Sequence, residues 1–304
     1  MTTVELPPVQ APAPAPVAGA PEPHQAGLRT AAHALGIVAA IMLGFVFQVT
    51  VLGALSHDRA QELAYDQFRS ELAQGVGPVS PLDEQRRLLE PGTPVAIIHI
   101  PRIGVHEVVG EGTSATALMA GPGHQRDTML PGQAGLSVIM GRRAAYGAPF
   151  ADLGQLHRND EIRIITGQGE HVYAVTGVRR AGDPLPPALR DGEGRLVLDT
   201  ADGPMFLPTD VLRVDARLVS PAQPTNGVVP SFAIAESERV LRSDPSALTG
   251  IVLWTAILLV AALGVVYVRR RAGRWHAWII GIPVLGALGS AVADHAAALL
   301  PNLM

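Results

Sequence analysis

Three long apolar runs limit what this chain can fold into. Ala34 to Leu55 is interrupted only by Gln48 and Thr50, Ala247 to Val268 is a second run, and Ala277 to Ala293 is a slightly shorter third that Asp294 and His295 close. A helix needs roughly 20 apolar residues to cross the hydrocarbon core of a bilayer. Such lengths are unusual for buried helices of a soluble protein. The chain is therefore expected to cross a membrane three times. Arg269, Arg270, Arg271 and Arg274 crowd the connection between the second and third runs, and the positive-inside rule places that connection in the cytoplasm. Parity then puts the amino terminus inside, and residues 56–246 and the carboxyl terminus outside. The first run has a second reading as a cleaved signal, because Ala54-Leu55-Ser56 has the small-x-small pattern. Its length, and a preceding tail with Arg29 as its one strong base, favour an uncleaved anchor. Asp294 and His295 fall where a helix would emerge, so interfacial solvation is expected of them.

Between the runs the pattern changes several times. Residues 1–33 read as a Pro-rich disordered cytoplasmic tail, with Ala-Pro alternation from Ala11 to Pro16. The first span is taken as 34–55. Residues 56–93 read as a helical stalk, continuous with the span, and a linker: Leu63, Phe68 and Leu72 recur at near-helical spacing before Pro78, Pro81, Pro91 and Pro94. Residues 94–220 carry short strands separated by Gly- and Pro-rich turns, with Gly167-Gln-Gly169 marking a hairpin between Glu161–Thr166 and His171–Thr176. That pattern predicts a small β-barrel or sandwich, and the segment is long enough for one core. Residues 221–246 read as a linker with a short helix around Ile234 to Arg242. The spans 247–268 and 277–299 flank a basic loop, 269–276, and 300–304 form an end segment.

Composition excludes several chemistries. The chain has no cysteine, which removes disulfides, zinc–thiolate sites and a thiol nucleophile. All of its strong bases are Arg; with no lysine there is no Schiff-base amine and no isopeptide acceptor. A net charge of -4 argues against a nucleic-acid surface. No cofactor is expected, and His99, His106, His157 and His171 lack metal-ligand spacing. His99 and His171 are expected to point outward or to lie at strand edges.

An ordered set of motifs narrows the reading. Ile98-His-Ile-Pro101-Arg-Ile-Gly104, Val109-Gly-Glu111-Gly112, Gly121-Pro-Gly-His124, Leu130-Pro-Gly132, Gly135-Leu-Ser-Val-Ile-Met-Gly141, Tyr146-Gly-Ala-Pro-Phe150 and Leu153 to Leu156 follow one another. In order and spacing, across about residues 94–220, they resemble the sortase domains of the class E-like actinobacterial group. The resemblance implies a mainly β fold, an eight-stranded barrel displayed outside the membrane. It also implies an enzyme that cleaves a sorting motif and joins the new carboxyl end to an amine. Such chemistry uses a thiolate nucleophile, a His that protonates the leaving amine and an Arg that stabilises the oxyanion.

At the matching positions this sequence departs from that set. The His of the family's Gly-His-Arg triplet is replaced in Gly141-Arg142-Arg143, and the Cys after the strand-ending Thr is replaced in Leu196-Val-Leu-Asp-Thr200-Ala201. Arg213 fits the family's arginine position. The methyl of Ala201 cannot attack a carbonyl, and the guanidinium of Arg142 stays protonated and cannot cycle a proton. Thr200 offers a hydroxyl, but strand neighbours face opposite ways, so it should point away from the side where Ala201 points. No catalytic residue is expected.

Three functional classes follow. In the first, a non-catalytic sortase fold binds or scaffolds a partner: a cell-wall polymer, a sorting-type peptide or an envelope protein complex. Arg142 and Arg213 would then hold a carboxylate or phosphate, with His124 lining the cleft. Against that ligand role, Asp199, Asp202 or Asp215 would neutralise the arginines internally, and His124 would be a hydrogen-bonded structural residue. In the second, the chain is a structural subunit of an envelope complex, its third span packing through Gly281, Gly286, Gly289 and Ser290. In the third, it is an active transpeptidase or hydrolase with an atypical nucleophile.

Overall fold

The computed structural model describes residues 32, 35, 36, 38, 39, 41–83, 85–225, 227 and 229–304. The chain divides into two units, Met1–Gly44 and Phe45–Met304; the described residues of the first are helical. Among the described residues, three helices are long and apolar enough to cross a membrane: Ile41–Gln74, Ala247–Arg271 and Arg274–Ala298. The helix Ile41–Gln74 includes the end of the first apolar run and the stretch that carries Leu63, Phe68 and Leu72. Its second part, α1 (Gly53–Gln74), follows a π-helical turn at Gln48–Leu52 and ends at Gly75 in the left-handed region, whose N–H bonds back to Glu71 and Leu72. The membrane hairpin is α3 (Ala247–Ala272) and α4 (Arg274–Ala298).

Residues 94–218 build an eight-stranded closed barrel, as the strand pattern and the family resemblance imply. The strands are β1 (Pro94–Ile100), β2 (Val105–Glu111), β3 (Gly123–His124), β4 (Gly135–Met140), β5 (Glu161–Thr166), β6 (Gly169–Arg179), β7 (Gly194–Asp202) and β8 (Asp210–Leu218). Around the barrel the order is β1-β2-β3-β4-β7-β8-β6-β5. A four-residue helix, α2 (Ala117–Ala120), lies between β2 and β3. Alternation drives the closure: Leu196 and Leu198 of β7, Leu212, Val214 and Ala216 of β8, and Ile162 and Ile164 of β5 fill one interior core with Ile98, Phe150 and Leu153. The alternate residues Val197, Ala201 and Val211 belong to a separate cluster.

Two pairings are parallel, and one of them makes the site. β4 runs beside β7 with Met140 opposite Asp199, so the two strands end side by side. β8 returns antiparallel along β7, setting Arg213 opposite Asp199 and Val211 opposite Ala201. The stalk α1 packs on the barrel through Phe68, which shares a buried cluster with Ile97 and Val108. Gln61 of α1 also satisfies β2: its amide accepts from Val108 N–H at 2.7 Å and donates to Val108 O at 3.2 Å. A side chain here does what a neighbouring strand would do.

One local expectation is refined and another corrected. Within 234–242 the short helix is a single 3₁₀ turn, Glu236–Glu238, with extended residues on either side. The carbonyls of this stretch are taken by distant partners: Thr113 Oγ1 donates to Glu238 O, while Asn302 binds Arg239 O and Arg242 O. His171 is buried rather than outward, because it shares its strand face with Tyr173 and Val175. Its ring fills the space beside Gly132, where a Cβ would meet it at 2.3 Å, and Nε2 contacts Thr166 Oγ1 at 3.1 Å. His99 is exposed, as expected.

Candidate functional site

The neighbouring ends of β4 and β7 bring positions 141–143 and 199–201 together. Gly141 N–H donates to Asp199 O at 3.0 Å, and Thr200 Oγ1 donates to Gly141 O at 2.9 Å. Only glycine fits at 141, because a Cβ would stand 2.5 Å from the Phe150 ring. Phe150 N–H in turn binds Arg142 O, which fixes the main chain at this position. Thr200 is 1% exposed with its hydroxyl committed to Gly141, and it alternates with Ala201 as the strand period requires.

Arg142 is among the most deeply buried side chains, 1% exposed. Its Nη1 donates to the main-chain oxygen of Met304 at 2.9 Å and its Nη2 to Ala115 O at 2.8 Å. The Tyr146 ring lies beneath it, 5.1 Å from centroid to Cζ. Burial pulls the guanidinium down to about 10, against the opposing pull of Tyr146. At neutral pH it therefore remains a cation, held by two main-chain oxygens and an aromatic face.

The residues after α4 close this face. Leu303 is fully buried in the cluster of Ala201, Leu118, Val138, Met140, Val197 and Val211. Arg143 N–H donates to Leu303 O at 3.1 Å. Asn302, also fully buried, donates through Nδ2 to Thr113 O at 2.8 Å and Arg239 O at 3.0 Å. Asn302 N–H donates to Arg242 O at 3.0 Å. Nothing in the apolar pattern of the last span announces this docking. The one available signal is Asn302 itself, an amide between Pro301 and Leu303 just past an apolar helix.

Arg213 faces Asp199 across β7 and β8, Nε to Oδ2 3.8 Å, with about a third of its side chain exposed. Burial pushes the Asp199 carboxyl up to about 6, although Arg213 and Arg179 pull the other way. The other two candidate acids have different partners: Asp215 pairs with Arg179, and Asp202 with Arg143 and Arg180. Arg142 and Arg213 thus each have their own intramolecular partners.

His124 sits elsewhere in the barrel wall, fully buried. Its Nδ1 meets Glu111 Oε2 at 2.9 Å and its Nε2 meets Met129 O at 2.9 Å and Thr128 Oγ1 at 3.2 Å. Burial pulls the imidazole down, but the Glu111 carboxylate outweighs it and the net shift is upward. Parallel pairing of β2 with β3 sets Glu111 opposite His124.

Tyr146 connects the site to the membrane helices. Its hydroxyl donates to Asp294 Oδ1 at 2.9 Å, which also accepts from Gln48 Nε2 at 3.0 Å. Asp294, half-buried, is therefore also a tie between the membrane helices and the barrel. Tyr146, Gly147 and Ala148 all have positive φ, of 50°, 77° and 47°. Two non-glycine residues in that region cost on the order of 1–3 kcal/mol each. The anchors of Tyr146 hold the turn: Asp294, the Arg142 cation and an N–H bond to Val49 O.

Comparison with known proteins agrees with this geometry. Residues 98–216 match the family model of the sortase domain. Sortase D of Bacillus subtilis (strain 168) is 33% identical over 86 residues, 28% of this chain and 42% of that protein. The chain therefore spans less than half the length of that relative. Sortase E from Streptomyces avermitilis is 30% identical over 50% of this chain and 100% of its own, with a TM-score of 0.37. A Clostridium perfringens sortase D5 transpeptidase is 22% identical over 53% and 99%, with a TM-score of 0.44. Residues 98–216, which carry the motifs of 98–156 and most of the closed barrel, thus match the sortase domain, in a chain that contains no cysteine.

Proposed function

We propose that the protein is a membrane-anchored, non-catalytic sortase-fold module of the bacterial cell envelope, which binds or positions a cell-wall or surface-protein partner without processing it. One observation carries this reading. The position after Thr200, where the family's nucleophile stands, is the methyl of Ala201, and it is buried under a cluster that includes Leu303. Arg142, in the acid's position, is a fixed cation bonded to two main-chain oxygens. An atypical nucleophile finds no support at Thr200, whose hydroxyl is spent on Gly141 O.

The barrel is proposed to face outward, with the amino terminus in the cytoplasm, on the strength of the arginines at 269–271 and 274. A cytoplasmically active reporter fused after Arg271 should be active, and one fused near Gly92 silent; the reverse would overturn the orientation. Of the residues expected to hold a ligand, Arg213 keeps an exposed side and is proposed to meet an anionic group of the partner there. His124, fully buried and bonded within the wall, is proposed as a structural residue, and Arg142 would reach a ligand only where Met304 O leaves its guanidinium. The partner's chemistry is that of a sorting-type peptide, an anionic wall polymer or an envelope protein. A second reading, a structural subunit of an envelope complex, draws on the Tyr146–Asp294–Gln48 tie, which makes the barrel and the helices one mechanical piece. Turnover is the test of the main reading: the unmodified chain in detergent should release no amine from sorting-type peptides. Turnover that Thr200→Val abolishes would overturn it.

A further inference from the structure

We infer that residues 300–304 are an intramolecular ligand of the barrel's own cleft, closing the position of Ala201 to outside molecules while docked and opening it when they leave. The inference deepens the reading above and rests on it for the identity of the cleft. Three kinds of contact carry it. Leu303 places a fully buried apolar side chain in the cluster formed by Leu118, Val138, Met140, Val197, Ala201 and Val211. The main chain of the segment is held by donors of the barrel: Arg143 N–H on Leu303 O and Arg142 Nη1 on Met304 O. Asn302 locks the approach through Thr113 O, Arg239 O and Arg242 O. Main-chain hydrogen bonds combined with a side-chain pocket hold the segment, whose own turn is closed by Met304 N–H on Pro301 O at 3.0 Å.

The segment has the properties of a removable occupant. It follows the last turn of α4, where Leu299 and Leu300 N–H groups bond to Ala296 and Ala297 O, and it lies outside regular structure. Short segments of this kind open at lower free energy than the barrel core. Ala298, at the end of α4, is buried with Ala115 and Ala247, so docking also registers the membrane hairpin against the barrel. An incoming peptide with an apolar side chain and free carbonyls would compete for the same cluster and the same Arg142 and Arg143 donors.

The absence of native cysteine makes the test direct. In the full chain, Ala201→Cys supplies a sole thiol at the covered position, and Leu207→Cys supplies one at an exposed loop position, 73% exposed. A water-soluble maleimide should label the Ala201→Cys chain at least about tenfold more slowly than the same chain carrying Leu303→Ser. The Leu207→Cys rate should be equal with and without Leu303→Ser. If Leu303→Ser does not fold, Asn302→Ala, which keeps the apolar side chain and removes only two hydrogen bonds, takes its place with the same expected direction. Equal Ala201→Cys labelling in parent and segment variant overturns the inference, whether both rates are slow or both fast. Labelling reads occupancy and not chemistry, so peptide turnover by the unmodified chain would remove the non-catalytic reading without altering these rates.

Discussion

Leu303→Ala is the substitution whose effect is easiest to work out in advance. The side chain is 0% exposed and sits in a cluster of seven buried residues around Ala201. Truncating a buried leucine to alanine costs roughly 2–5 kcal/mol, the spread reflecting how far the surroundings collapse. The segment lies at an edge and can undock alone, so the loss should fall on docking rather than on the barrel. At 1.4 kcal/mol per factor of ten, undocking becomes roughly 30-fold to several thousand-fold more frequent. Amide hydrogen exchange reads this locally. Arg143 N–H is bonded to Leu303 O and Asn302 N–H to Arg242 O, and both should exchange faster by that factor. The amide of Ile164, inside the β5 ladder between β1 and β6, should not change. Unchanged exchange at Arg143 and Asn302 would refute the reasoning, because it would mean that the side chain of Leu303 contributes nothing to holding the segment.

Thr200→Val keeps shape and removes the bond from Oγ1 to Gly141 O; it should cost about 1–3 kcal/mol, measured by denaturant unfolding, since it leaves a buried carbonyl with one acceptor site unfilled. Asp199 gives a pH signature. Its folded pKa of about 6 lies above the ordinary 3.8 because of burial, so its protonated form favours the folded state. That stability is fully present below about pH 4 and is lost as pH rises through 6. Across that window the loss is on the order of 3 kcal/mol. Over pH 4–7 the unmodified chain should therefore lose stability relative to Asp199→Asn by up to that amount; parallel pH profiles would contradict the assignment.

The fold was legible in the sequence because its determinants are local and periodic. Alternation of Leu196, Leu198 and Thr200 with Val197 and Ala201 announces a two-faced strand, and uninterrupted apolar length announces the spans. Loss of the nucleophile was legible too, since the chain has no cysteine. What could not be read is long-range. The partners of Arg142 lie at Ala115 and Met304, 27 and 162 residues away, and no spacing rule connects them. Asp294 looked like a helix end meeting water; only its approach to Tyr146 and Gln48 reveals the tie. His171 was misread because a polar ring in a hairpin suggests an outward face, while its register with Tyr173 and Val175 turns it inward. Arg213 stands out through its fit to the family's arginine position, yet its pairing with Asp199 rather than Asp215 depends on the β7–β8 register.

In the proposed reading the sortase reaction is lost because positions 142 and 201 carry neither an acid nor a nucleophile. The most direct measurement is release of the leaving amine from sorting-type peptides by the unmodified chain, by Ala201→Cys, and by Ala201→Cys combined with Arg142→His and truncation after Leu299. No turnover is expected from the first two, the second failing because the leaving amine still lacks a proton donor. The combined variant is the one in which turnover is expected. Turnover by the unmodified chain, or Ala201→Cys working as well as the combined variant, would contradict the proposed reading.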